Sequence, residues 1–148
     1  MKIAVSTDER TPLVDALLAE LEERSHDVEY FGPEAEEEAD WPEVTRKAAE
    51  LVASGKVDEG IVMCWTGTGA SIAANKVKGV RAALCRDAET AKGARTWNHA
   101  NVLALSIQAT SESLLKKILD VWFSTPFSDD EWNLQQIERI HQLDAGRD

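Results

Sequence analysis

The stretch that most restricts the fold is residues 59–65, EGIVMCW, which are almost wholly apolar after Gly60. A strand with one wet face alternates apolar and polar side chains, so an unbroken apolar run belongs to a strand covered on both faces. Helices must supply that cover. Residues 2–6 (KIAVS), Asp27–Phe31 (DVEYF), 81–85 (RAALC) and Val102–Ser106 (VLALS) are further short runs of β-forming type, the last two read as buried. Pro12 suits the first turn of a helix in which Leu13, Leu17, Leu18 and Leu21 recur at helical spacing. Asp40 reads as the cap of a second helix, with Trp41 and Pro42 in its first turn and Gly55 as its stop. Helices are also expected over 70–75, 88–97, 111–124 and 130–145, while the acidic residues 33–40 read as a solvated loop. Strands alternating with helices imply one α/β domain over residues 1–148, a parallel sheet with helices on both faces.

Charge narrows the partners. The chain has 27 acidic and 16 basic residues, a net charge of −11, which disfavours a nucleic-acid backbone or an anionic membrane surface. No apolar run approaches the roughly 20 residues of a membrane-spanning helix. The opening MKIAVSTDER turns polar too soon for a signal peptide. Cys64 and Cys85 form neither a metal pattern nor a disulfide framework. The expectation is a cytoplasmic protein that needs no metal or cofactor.

Sheets of this class collect ligands at the carboxyl ends of their strands, which here means residues 7–10, 64–69, 85–87 and 106. The segment Cys64-Trp65-Thr66-Gly67-Thr68-Gly69-Ala70-Ser71 carries the most chemistry. Glycines let a backbone approach a ligand, and amides at a helix N-terminus stabilise an anion. A thiol beside such amides can act as a proton acceptor. The segment lacks the Gly-Lys-Ser/Thr ending of a P-loop, and Ile72 stands at the third glycine of a dinucleotide fingerprint. Residue types alone leave two readings: an acid/base thiol, or a buried strand cysteine before an ordinary glycine turn.

The run Cys64-x-Thr66-Gly67-x-Gly69-x-Ser71-Ile72-Ala73-Ala74-Asn75-Lys76 closely resembles the signature of type B ribose-5-phosphate isomerases. The galactose-6-phosphate isomerase subunits belong to the same family. Asp8, Asp40-Trp41-Pro42, Val57-Asp58-x-Gly60-Ile61, Gly79-x-Arg81-Ala82 and Arg95-x-x-Asn98-x-x-Asn101-Val102 extend the likeness over almost the whole chain. The resemblance implies a five-stranded, Rossmann- or flavodoxin-like parallel sheet in a three-layer α/β/α domain. It implies a dimer or dimer of dimers with active sites between subunits, the C-terminal helix extending onto the partner. It also implies interconversion of aldose and ketose phosphates through a cis-enediolate. In that scheme Cys64 is the base, and Gly67, Thr68, Gly69, Ala70 and Ser71 line the loop that holds the enediolate oxygens. Thr66 assists ring opening, and Asn98 binds substrate oxygens.

The departures are as informative. After the first strand the family has Asp-His, where this chain has Asp8-Glu9, followed by Arg10. The family's ring-opening histidine falls at Trp97, its two phosphate-binding arginines at Trp132 and Gln136, and a small residue at Trp65. By this alignment the three indoles lie near the crevice, where they either stack on a ligand or fill volume. Arg10, Arg86 and Arg95 either take over the phosphate or serve as surface and ion-pair residues. His99 either replaces the lost acid/base or is a structural loop histidine. Cys85 reads as core.

Two functions remain in view. One is an aldose–ketose isomerase that keeps Cys64 but recognises a different, shorter, open-chain or unphosphorylated sugar. The other is a non-catalytic sugar- or small-molecule-binding relative, or one subunit of a hetero-oligomeric isomerase. Trp132, Leu134, Ile137 and Ile140 lie at roughly helical spacing on the last helix, which the resemblance implies docks on a partner subunit, so a homodimer or tetramer is expected.

Overall fold

In the computed structural model, which describes residues 1–147, β3 (Glu59–Cys64) lies at the middle of a five-stranded parallel sheet with all 6 of its residues buried. The other strands are β1 (Lys2–Thr7), β2 (Asp27–Phe31), β4 (Ala82–Leu84) and β5 (Val102–Ser106), in the order β2-β1-β3-β5-β4. The helices are α1 (Pro12–Glu23), α2 (Trp41–Ala53), α3 (Thr68–Asn75), α4 (Ala88–Asn98), α5 (Glu112–Ser124) and α6 (Glu131–Ala145). This is the three-layer α/β/α class expected. Its last two strands are exchanged relative to the flavodoxin order 2-1-3-4-5, because β5 returns to pair with β3.

That return exposes one expectation as wrong. The run 81–85 was read as a buried strand, but β4 is the sheet's edge: Ala82 and Ala83 are half-buried and Leu84 is exposed. An apolar run reports burial on the faces and says nothing about which neighbour arrives beside it. A second correction concerns α2, whose N-cap Asp40 makes no side-chain capping bond. Thr11, Asp87, Ser111 and Asp130 do cap their helices, accepting from Val14, Thr90, Leu114 and Asn133. Gly55, at φ +74, ends α2 as expected. The acidic loop is pinned at its end, where Glu38 bridges Glu9 and the Ala39 amide donates to the Asp8 carbonyl at 3.0 Å.

The core has two halves. Leu13, Leu17, Ala91, Leu115 and Leu119 place α1, α4 and α5 on one face. Ala48, Val52, Ala70 and Ala74 place α2 and α3 on the other. The chain therefore leaves β1 and β5 toward one face and leaves β3, which lies between them, toward the opposite face. Each such divergence opens a crevice outside the carboxyl ends, so β3 ends between two crevices. α6 packs against the far, amino-terminal edge, where Asp144 accepts from the Gly79 amide at 2.9 Å and Arg147 donates to the Asn75 carbonyl at 3.0 Å.

Candidate active site

Cys64 is the last residue of β3, buried and level with Ser106 of β5. Beyond it the chain turns through Gly67, whose φ of +77 is the left-handed conformation glycine adopts without strain. A Cβ at Gly67 would come within 2.6 Å of Leu84 and 2.9 Å of the Leu105 backbone, so only glycine lets the loop close on β5. The first helical bond of α3 runs from the Ser71 amide to the Gly67 carbonyl at 3.0 Å. The amides of Thr68, Gly69 and Ala70 are thus left outside the helix ladder. Thr66 and Thr68 share a 2.7 Å hydroxyl hydrogen bond that stiffens the loop. This end of β3 holds a thiol and, in the loop that follows, three amides outside the helix ladder, a combination that can accept a carbon-bound proton and stabilise the oxyanion that results.

The β1 end contributes Asp8, Glu9 and Arg10. Burial, with Glu9 and Glu38 close by, pushes the Asp8 carboxyl up, and its Oδ1 is buried without a hydrogen-bond partner. Arg10 is committed: it donates to Asp15 at 2.7 Å, lies 3.7 Å from Glu34 and sits over the Tyr30 ring. Trp65 is exposed beside the glycine loop. Sequence reasoning gave Trp41 only a helical role, yet its indole covers Gly69, where a Cβ would meet it at 3.1 Å. Cys85 is core as expected. It is buried, and burial pushes its thiol up to about 12.

The candidates at the end of α4 and on α6 lie at the opposite end of the sheet. α4 starts at the carboxyl end of β4 and carries 11 residues, about 16 Å of helix, to Trp97, Asn98 and His99. These stand near α6, which bears Trp132 and Gln136. Trp97, Asn98, Gln136, Ile137 and Arg139 help line a cavity of about 630 Å³ there. The three indoles therefore do not share one crevice within a chain: Trp65 is at the carboxyl end, and Trp97 and Trp132 are at the amino end. His99 ends α4 in a left-handed conformation, at φ 50. Its ring is buried, stacks on Phe127 at 4.4 Å, and donates from Nε2 to the Ser128 carbonyl at 2.9 Å. These contacts tie α4 to the segment entering α6.

Among the described residues no group of three or more His, Cys, Asp or Glu is placed to hold a metal ion, and no helix is long and apolar enough to cross a membrane. Comparison with known proteins agrees with the geometry. Residues 3–143 match the Ribose/Galactose Isomerase family. Galactose-6-phosphate isomerase subunit LacB of Clostridium acetobutylicum is 36% identical over 97% of this chain and 83% of its own length. D-erythrulose-4-phosphate isomerase of Pectobacterium atrosepticum is 40% identical over 59% of this chain and 57% of its own. The ribose-5-phosphate isomerase B structure from Clostridium thermocellum superposes with a TM-score of 0.92 at 36% identity, covering 98% of both chains. With its thiol-and-amide loop at the end of β3 and this likeness over nearly its full length, the chain belongs to the ribose/galactose isomerase family.

Proposed function

We propose that this isomerase interconverts a short, open-chain ketose phosphate and its aldose, with Cys64 as the base. The observation that carries the proposal is the Cys64 thiol beside the unpaired amides of Thr68, Gly69 and Ala70. The Cys64 thiolate takes the proton from the carbon next to the carbonyl. The electron pair left behind forms the double bond of a cis-enediolate, whose oxygens the amides hold. The hydroxyl proton passes from one enediolate oxygen to the other, and the carbon-bound proton returns from the thiol to the neighbouring carbon, completing the isomerisation without any net redox change.

The substitution at Trp97 supports an open-chain substrate. An indole N–H donates a hydrogen bond but cannot exchange its proton as an acid or base, and His99 is occupied by Phe127 and Ser128. A four-carbon sugar phosphorylated on its terminal oxygen has no hydroxyl left to close a furanose ring, so it needs no ring-opening residue. The relative named D-erythrulose-4-phosphate isomerase fits that chemistry. In this reading, Asn98, Trp97, Trp132 and Gln136 of one copy meet the Cys64 loop of another, giving a homodimer or a dimer of dimers. A second reading, a hetero-oligomer whose other chain supplies the phosphate arginines, is favoured by the likeness to a LacB subunit.

Deuterium exchange followed by NMR tests both. The purified chain alone should exchange the proton beside the carbonyl of a tetrulose 4-phosphate, and Cys64→Ala should not. Exchange that persists in Cys64→Ala removes the cysteine mechanism. Exchange that appears only with a second chain selects the hetero-oligomer.

A further inference from the structure

The second crevice beside β3, the one toward β5, opens into a cavity of about 370 Å³ whose polar wall is Thr66, Arg86, Thr90, Ser106, Gln108 and Thr110 and whose apolar wall is Leu84, Cys85 and Ala109. We infer that this cavity seats the anionic end of the substrate, with Arg86 as its cation, while the carbons to be isomerised lie at Cys64. The inference deepens the isomerase reading and rests on it.

Continuity is the first support. Thr66 belongs both to the glycine loop and to the cavity wall. The two loops are stitched together by the Ile107 amide donating to the Cys64 carbonyl at 3.0 Å and the Gln108 amide donating to the Trp65 carbonyl at 2.9 Å. β5 separates β3 from β4, so the base of Arg86 stands about two strand spacings, or about 10 Å, from the cysteine strand. An arginine side chain and a four-carbon phosphate together span that gap.

The second support is what the other arginines are doing. Arg10 is held by Asp15 and Glu34, and Arg95 is buried against Glu59 at 2.8 Å. Arg81 donates to the carbonyls of His99 and Gly79. Arg86 is exposed and makes no ion pair among the described residues, because its neighbour Asp87 turns to cap α4 through the Thr90 amide at 2.7 Å. The side chains of Gln108 and Thr110 make no hydrogen bond to the protein among the described residues and are free to donate, beside the guanidinium fork, to the oxygens of an anion. The crevice on the β1 side offers the reverse. Glu9, Glu36, Glu37 and Glu38 wall a hollow there together with Arg10, which Asp15 and Glu34 already hold, so the four carboxylates repel a dianion.

The test uses the full-length protein and inorganic phosphate as the probe, with binding followed by NMR shift perturbation. Phosphate should perturb the amides around Arg86, Gln108 and Thr110. Arg86→Gln should weaken binding at least about tenfold, Arg86→Lys less, and Arg139→Gln little. Unchanged binding in Arg86→Gln overturns the inference, as does weakening by Arg139→Gln instead, which moves the anion to the cavity beside α6. Exchange kinetics then separate the two claims. With a functioning isomerase, Arg86→Gln should raise KM for a tetrulose 4-phosphate at least about tenfold and leave the unphosphorylated tetrulose unaffected. If Arg86→Gln loses phosphate while wild type exchanges no sugar, the anion seat stands and the isomerase reading falls. If Cys64-dependent exchange is seen but Arg86→Gln changes neither binding nor KM, the reading stands and the seat falls.

Discussion

The Arg95 guanidinium lies 2.8 Å from the Glu59 carboxylate, with both side chains close to fully buried. The other Glu59 oxygen accepts from the Trp122 indole at 2.7 Å, and Arg95 is sandwiched between the Trp122 and Phe127 rings, 4.7 and 4.6 Å from their centroids. Arg95 also donates to the Ala100 carbonyl at 2.7 Å. The start of β3, the last turn of α4, α5 and the approach to α6 are thereby joined through one ion pair. Glu59→Ala leaves that guanidinium buried without its counter-charge and should cost about 3–5 kcal/mol in urea unfolding. The double variant Glu59→Leu, Arg95→Met should recover most of the loss, since a buried pair gains little over apolar groups of similar size. A double variant as unstable as the single one would show that the pair itself holds the fold.

Asp8 works against stability. Burial first, then Glu9 and Glu38, raise its carboxyl above its ordinary value of 3.8. The folded state therefore holds that proton more tightly than the unfolded state, and charging Asp8 weakens the fold once the pH rises past 3.8. Asp8→Asn should raise Tm at pH 7, with the gain vanishing below the unfolded value. A lower Tm at pH 7 would mean that the carboxylate has a stabilising partner.

Cys85 has the same sign at the alkaline end. Its thiol ionises near 9.0 when unfolded and is pushed up to about 12 by burial in the fold. Between those values the unfolded chain releases a proton that the folded chain keeps, so stability falls with rising pH. Relative to Cys85→Ala, wild type should lose about 1.4 kcal/mol per pH unit above pH 9 in unfolding titrations. Parallel curves for the two proteins would contradict an enclosed thiol. In the native protein at pH 8, iodoacetamide should leave Cys85 untouched until denaturant is added.

Ribose 5-phosphate should be a poor substrate. It closes into a furanose, and the residue aligned with the family's ring opener is Trp97, whose exposed ring lies against Gly93 at the end of α4. Trp97→His should raise the rate on ribose 5-phosphate by at least about tenfold, a modest share of what a placed acid/base supplies, with little change on a tetrulose 4-phosphate. Efficient wild-type turnover of ribose 5-phosphate at submillimolar concentration would overturn this.

Much of the architecture could be read from residue order, because a buried parallel strand and an amphipathic helix leave periodic traces. The run EGIVMCW declared a strand covered on both faces, and Ser111 and Asp130 announced helix starts that the structure shows as caps. Pairing left no such trace. Nothing in RAALC or VLALS says that the later strand inserts between β3 and β4, yet that insertion creates the second crevice. His99 could not be resolved from sequence, since its burial depends on Phe127 and Ser128, far along the chain. The three candidate arginines looked alike until Asp15, Glu34 and Glu59 were seen to occupy two of them.

In the proposed dimer, the length of α4 makes each chain a donor to two different workplaces. It keeps Cys64 at one end of the molecule and Trp97 and Asn98 at the other, so damage at the two ends falls on different sites once two copies pair antiparallel about a two-fold axis. A chain lacking Cys64 and a chain crippled at Asn98 would each be inactive alone. Mixed and allowed to re-pair at random, half of their dimers carry both lesions in one site and none in the other. Two dead proteins should then recover about a quarter of the wild-type rate, a complementation open only to an enzyme that divides its chemistry between neighbours.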